Sequence, residues 1–301
     1  MNTRKISIIG VPMDLGQNRR GVDMGPSAIR YAGIVEKLEG LDLEVEDLGD
    51  IQIAMPERMH TETAHNLRNL KAIEVANTQL AELVSQVIEK GHFPLVLGGD
   101  HSIAIGTLAG VSKNYEDLGV IWFDAHGDLN TGETSPSGNI HGMPLASSLG
   151  IGHPALSALG GYSPKVKPEN LVIIGPRDLD KEEKQLIKEM GLRVYTMHEI
   201  DRMGMASIME ETINYLKKRT DGVHLSFDLD GVDPTDAPGV GTPVIGGISY
   251  RESHLAMEML AESGIVVSAE FVEINPILDE RNKTAKAAVA LMGSLLGDLL
   301  K

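Results

Sequence analysis

The stretch Gly119-Val120-Ile121-Trp122-Phe123-Asp124-Ala125-His126-Gly127-Asp128-Leu129-Asn130 begins as a strand and ends as a set of metal-ligand side chains. Val120 to Phe123 is continuously apolar and β-prone, the pattern of a strand covered on both faces. Asp124, His126 and Asp128 follow at alternate positions. In an extended chain these three point the same way, roughly 7 Å apart at successive positions. Two carboxylates and an imidazole converging at a strand end are poor structure and good metal ligands. On this segment alone, a polar loop after a strand is the competing reading.

Two further stretches weaken that alternative. Gly222-Val223-His224-Leu225-Ser226-Phe227-Asp228-Leu229-Asp230 is again an apolar strand running into Asp-x-Asp. Phe93-Pro94-Leu95-Val96-Leu97-Gly98-Gly99-Asp100-His101-Ser102 is a third, ending in Gly-Gly-Asp-His. Together they supply six candidate ligands: His101, Asp124, His126, Asp128, Asp228 and Asp230. One ion cannot use all six well, but two adjacent ions can if some carboxylates bridge. Hard oxygen donors with some imidazole favour manganese over zinc or copper, and over an all-oxygen magnesium site. Two such ions share a bridging water, lower its pKa and supply hydroxide for hydrolysis of a poor electrophile. G-x-S-x-G is absent, which argues against covalent acyl transfer. Neither G-x-x-x-x-G-K-[ST] nor G-x-G-x-x-G occurs, so nucleotide binding has little support.

Outward from these stretches, about eight apolar runs alternate with helical segments. This is the signature of an α/β fold with a mainly parallel sheet and helices on both faces. Helices are expected from Pro26 to about Leu38, Glu62 to Lys90, Lys181 to Met190, Ala206 to Lys218, Arg251 to Ala261 and roughly Asn282 to Leu299. The Gly-rich, charged loop Val11 to Gly25 is expected at the rim of a site. No linker, repeat or low-complexity run divides the 301 residues, so a single domain, 1–301, is expected. His60, His65, His92, His153, His198, His224 and His254 lack acidic partners at ligand spacing and read as surface or packing residues. The net charge of -16 argues against nucleic acid or an anionic membrane surface as partner. The chain has no cysteine, which excludes disulfides, thiolate metal sites and a cysteine nucleophile. Without a signal-like N-terminus or a run of about 18 apolar residues, a cytoplasmic enzyme is the expectation.

Five motifs in combination resemble the arginases of the ureohydrolase family, most nearly the bacillus type. They are Gly98 to Ser102, Asp124 to Asn130, Ser137-Gly138-Asn139-Ile140-His141-Gly142, Ser226 to Pro234, and Val272-Glu273-Ile274-Asn275-Pro276. The resemblance covers nearly the whole chain and implies a manganese enzyme converting L-arginine to L-ornithine and urea. It implies that His101, Asp124, Asp128 and Asp228 hold one ion, and Asp124, His126, Asp228 and Asp230 the other. Glu273 would then hold the guanidinium. Asp128 would orient the hydroxide, and His141 would shuttle a proton. Asn130, Ser135 and Ser137 match positions that read the α-carboxylate, Asp180 and Glu183 the α-amino side, and Thr242 a hydroxyl near the guanidinium. Asp180 and Glu183 also read as an N-cap and a first-turn residue of the Lys181 helix. The family implies a homo-oligomer, a trimer or hexamer. Two departures stand out: Gly127 replaces a common hydroxyl residue, and Pro176 a common aliphatic one. The competing functions are agmatinase, whose substrate lacks the α-carboxylate, and a non-catalytic arginine- or metal-binding protein.

Overall fold

Short apolar runs separated by amphipathic segments leave this chain one economical solution, a parallel sheet joined by crossover helices. A computed structural model describes residues 5–54 and 63–299. Its strands are β1 (Lys5–Val11), β2 (Glu44–Asp50), β3 (Thr63–Ala64), β4 (Leu67–Arg68), β5 (Phe93–Gly98), β6 (Leu118–Phe123), β7 (Leu171–Ile174), β8 (Arg193–Tyr195), β9 (Gly222–Asp228) and β10 (Val266–Val272). Its helices are α1 (Gly25–Tyr31), α2 (Ile34–Glu39), α3 (Leu70–Glu89), α4 (Ala104–Val111), α5 (Pro144–Ser148), α6 (Pro154–Ser157), α7 (Lys181–Met190), α8 (Met197–Met203), α9 (Met205–Leu216), α10 (Tyr250–Ser263) and α11 (Lys283–Leu295).

Eight strands form one sheet in the order β2-β1-β5-β10-β9-β6-β7-β8, and every pairing in it is parallel. Each face carries its own apolar layer. Phe123, Phe227 and Phe271 share one face with residues of α1, α2 and α8 to α11. Val120, Trp122 and Val96 share the other with α3 and α4. The three phenylalanines stack at 5.3 Å across neighbouring strands. Each such pair contributes about 0.5–1.5 kcal/mol beyond its burial.

The β3–β4 hairpin stands apart and corrects the expected helix from Glu62 to Lys90: α3 begins only at Leu70. His65, Asn66 and Asn69 adopt left-handed backbone angles that a helix does not tolerate. His65 lies on this exposed turn, as expected, whereas His60 lies outside the described residues. The expected first helix is two helices, broken where Gly33 takes a φ of 89°. Helix α8 was not foreseen; Thr196 and Glu199 form its capping box. Among the described residues no helix is long and apolar enough to cross a membrane.

Candidate metal centre

Ligands bind an open α/β sheet beyond the carboxyl ends of its strands. Here four adjacent central strands, β5, β10, β9 and β6, deliver His101, Glu273, Asp228 with Asp230, and Asp124 to that edge. His101 opens a short 3-10 turn capped by Asp100, whose carboxylate accepts the Ser102 N–H at 3.0 Å.

Two clusters result. His101 Nδ1 lies 3.1 Å from Asp124 Oδ2, 3.0 Å from Asp128 Oδ2 and 3.1 Å from Asp228 Oδ2. His126 Nδ1 lies 3.4 Å from Asp124 Oδ1 and 3.2 Å from Asp230 Oδ2. Asp124 therefore faces both imidazoles, one oxygen to each. Asp228 turns one oxygen to the His101 cluster, while the other accepts the Asp230 N–H at 2.7 Å. The bridging geometry is thus explicit at Asp124 and not at Asp228.

The extended geometry expected for Asp124 to Asp128 does not occur, because β6 stops at Phe123. The His126 N–H turns back onto Asp124 Oδ1 at 2.7 Å, and Asp128 takes a φ of 52°. A strand would space these side chains along a line, whereas a coil can wrap them around a point. Glu273 is likewise left-handed, with a φ of 65°. Such angles in non-glycine residues cost of order 1–3 kcal/mol and collect at functional sites.

The electrostatics fit a divalent cation. Burial and the neighbouring Asp124 charge raise the Asp128 carboxyl to about 7. Burial with Asp230 and Asp124 pushes Asp228 well above the usual carboxylate range. Burial alone would lower His101, but Asp124, Asp128 and Asp228 outweigh it and raise it well above its ordinary value. His101 Nδ1 and Asp128 Oδ2 are buried without a hydrogen-bond partner. A buried imidazole nitrogen and carboxylate oxygen left without such partners suit a divalent metal ion as ligands.

A pH effect follows for the metal-free protein. Folded, it keeps protons on Asp128 and Asp228 that the unfolded chain releases near its ordinary value of about 4. The folded state therefore binds more protons, and stability falls as pH rises from about 4 toward the Asp128 value of about 7. Metal removal should lower the melting temperature more at about pH 8 than at about pH 5.5. Equal losses at both, by scanning calorimetry, would contradict this electrostatic account.

A cleft of about 170 Å³ opens over the centre, lined by Asn130, Ser135, Ser137, His141, Asp180, Glu183 and Thr242 together with His126, Asp128, Asp228 and Asp230. Thr242 donates to Asp230 Oδ2 at 2.9 Å. The Asn130 amide donates to Asp180 Oδ2 at 2.8 Å, and its carbonyl accepts from Thr134 at 2.8 Å. Ser135 and Ser137 lie 3.5 Å apart, oxygen to oxygen. Glu183 is a strut: its oxygens accept the Leu129 N–H at 3.0 Å and the Asp180 N–H at 2.8 Å, the second closing the capping box of α7. The glycine at 127 has its reason here, since a Cβ would meet Leu179 at 2.8 Å and Glu183 Oε1 at 2.9 Å.

Glu273 is 1% exposed and lies behind His141. It accepts from Gln17 at 2.9 Å and from the His101 N–H at 2.9 Å, and stands 3.1 Å from His141 Nδ1. Burial opposes protonation of His141, but the Glu273 carboxylate outweighs it and raises His141 to about 9. The loop Val11 to Gly25 does reach the site: Gln17 meets Glu273, and Arg19 donates to Gly241 O at 2.7 Å. Several supporting groups escaped sequence reasoning. Trp122 stacks on His101 at 4.1 Å and donates to Asp124 at 3.0 Å. Arg177 donates to the carbonyls of Asp230 and Gly231, at 2.7 and 3.0 Å, and of Val244 at 2.8 Å. Its place directly before the Asp178-Leu179-Asp180 run was the available signal.

Fold and site together define a parallel α/β scaffold with a carboxylate–imidazole cluster able to hold metal at the carboxyl edge of its sheet. The profile of the arginase family matches residues 4–297, and the chain belongs to that family. It is 72% identical to the arginase of Bacillus caldovelox over 297 residues, 99% of each chain. The native structure of that arginase superimposes with a TM-score of 0.97, covering 99% of this chain and 100% of the other. The Bacillus subtilis arginase is 66% identical over 99% of each chain. An Entamoeba histolytica arginase solved in complex with L-ornithine is 35% identical, with a TM-score of 0.89 over 99% of this chain and 100% of that one.

Proposed function

We propose that the chain, acting as one catalytic domain over 1–301, hydrolyses L-arginine to L-ornithine and urea with two manganese ions. The observation that carries this reading is Asp124, which turns one oxygen to His101 and the other to His126, a residue that lines the polar cleft. His101, Asp124, Asp128 and Asp228 would hold one ion, and Asp124, His126, Asp230 and Asp228 the other. The names of the relatives, and L-ornithine in the Entamoeba neighbour, support this substrate class. When bound, such a pair of ions acidifies water enough to make it a nucleophile near neutral pH.

The remaining roles belong to side chains. Asp128, with an unpartnered oxygen beside the cluster, orients the attacking water. Glu273, buried behind His141, would supply the negative charge for the guanidinium and anchors the His141 ring. His141 carries the proton that the leaving amine requires. Asn130, Ser135 and Ser137 offer amide and hydroxyl groups to an α-carboxylate, and Asp180 faces the α-amino group with Glu183 bracing its loop. Thr242 steadies Asp230. We further propose a homo-oligomer working in the cytoplasm. Agmatinase chemistry has no use for the Asn130 to Ser137 groups, and a binding-only protein has none for His141.

Urea release from L-arginine by the purified, manganese-loaded chain is the direct test. No urea from arginine, with agmatine turned over, would replace this reading by its rival. The proton on His141 gives a second test. Activity should rise through neutral pH and fall as His141 loses its proton near 9. His141→Asn should lower kcat by about 10²-fold or more and abolish the alkaline limb. An unchanged limb in that variant would remove His141 from proton transfer.

A further inference from the structure

A buried polar column runs down the sheet beneath the metal centre, which neither the proposed chemistry nor the apolar core requires. His224, Ser226 and Asp228 alternate along β9 and so share one face. The register of β9 with β10 sets Ser268 beside His224 and Glu270 beside Ser226. All four residues below Asp228 are 0% exposed, and α4 packs across both strands. An apolar sheet face does not need a carboxylate, an imidazole and two hydroxyls, and burying them costs free energy unless they are paired.

The hydrogen bonds have a direction. Ser226 Oγ donates to Glu270 Oε1 at 2.8 Å, and the same oxygen lies 2.8 Å from His101 Nε2. A hydroxyl has a single proton. If it goes to Glu270, the Ser226 oxygen must accept from His101, so Nε2 of His101 carries the ring hydrogen. The Nδ1 lone pair then points at Asp124, Asp128 and Asp228. Glu270 is an obligate acceptor only as a carboxylate, and the His224 ring faces it, Nε2 3.4 Å from its Oε1 without a hydrogen bond. Ser268, 2.9 Å from His224 Nδ1, fixes that ring in turn.

We propose that Glu270, with His224 as its counter-group, is a positioning residue that acts through Ser226 to hold His101 in the tautomer that ligates metal. The proposal rests on the reading of His101 as a ligand. Outer partners of metal-bound histidine orient the ring and raise its basicity, and their loss typically costs 10- to 100-fold in metal affinity. In Glu270→Gln the amide can donate to Ser226, freeing the hydroxyl to donate to His101 Nε2 and moving the ring hydrogen onto the metal-facing nitrogen.

The test is calorimetric titration of metal-free full-length protein with Mn²⁺ alone, alongside the melting temperature of the same samples. Glu270→Gln and Ser226→Ala should each weaken one of the two Mn²⁺ steps about 10- to 100-fold and leave the other unchanged. The double variant should be no weaker than Ser226→Ala, because Glu270 acts only through that hydroxyl. If Glu270→Gln does not fold, Ser226→Ala, which deletes a single atom, carries the test alone. A lower melting temperature with both Mn²⁺ steps unchanged would reduce the column to packing and overturn the proposal. Additive losses in the double variant would overturn the route through Ser226. Should His101→Asn also leave both steps untouched, His101 is no ligand, and the metal assignment itself falls.

Discussion

Asp124→Asn is expected to release manganese from both halves of the centre and to lower kcat by at least about 10³-fold. Each carboxylate oxygen of Asp124 faces a different imidazole, Oδ2 the His101 side and Oδ1 the His126 side. An amide keeps one acceptor oxygen and presents two hydrogens where the other was. One cluster therefore loses an anionic ligand and meets a donor, and the other loses half the bridging charge. Metal catalysis supplies several kcal/mol of transition-state stabilisation, and each 1.36 kcal/mol is tenfold in rate, which sets the floor on the loss. The contrast with single-site ligands makes the test specific. Asp230→Asn touches only the His126 cluster and should leave one equivalent bound. Metal analysis after gel filtration checks both. One full equivalent retained by Asp124→Asn would show that this carboxylate does not bridge.

Substrate choice should be nearly as sensitive. Arginine should surpass agmatine by about 10⁴-fold in kcat/KM, the discrimination typical of a site built to hydrogen-bond a group its rival lacks. The groups concerned are the Asn130 amide and the hydroxyls of Ser135 and Ser137, all on the cleft wall. Ser137→Ala should weaken arginine by about 1–3 kcal/mol and leave agmatine turnover nearly unchanged, since agmatine has no carboxylate to lose. Asn130→Ala should do the same and also loosen Asp180, which the Asn130 amide holds at 2.8 Å. Glu273→Gln should harm both substrates alike, because both carry the guanidinium. Paired kcat/KM values for each variant decide the matter. Equal loss on both substrates in Ser137→Ala would make the loop a structural one.

Local chemistry alone determined a good deal about this protein. Apolar runs such as Val120 to Phe123 read as strands buried on both faces, and their alternation with helices points to a parallel sheet. Aspartate and histidine directly after such runs are too costly to bury for packing, so the six candidate ligand positions stood out as a set. The α7 helix was legible to the residue, because Asp180 caps it and Gly191 closes it in a left-handed conformation.

What periodicity cannot carry is adjacency and backbone direction. That β6 lies against β9, β9 against β10 and β10 against β5 is decided by crossovers, and this order brings carboxylate oxygens of Asp124 and Asp228 each within 3.1 Å of His101 Nδ1. Asp128 reaches the cluster through a left-handed turn, not the extended alternation its spacing suggested. The strut made by Glu183 depends on Leu129, and the anchoring of His141 on Glu273, each remote in sequence. His224 read as a plain core histidine because its carboxylate partner stands on a different strand. Each of these contacts joins residues far apart in the chain, and a chain specifies such contacts only by burying its apolar faces together.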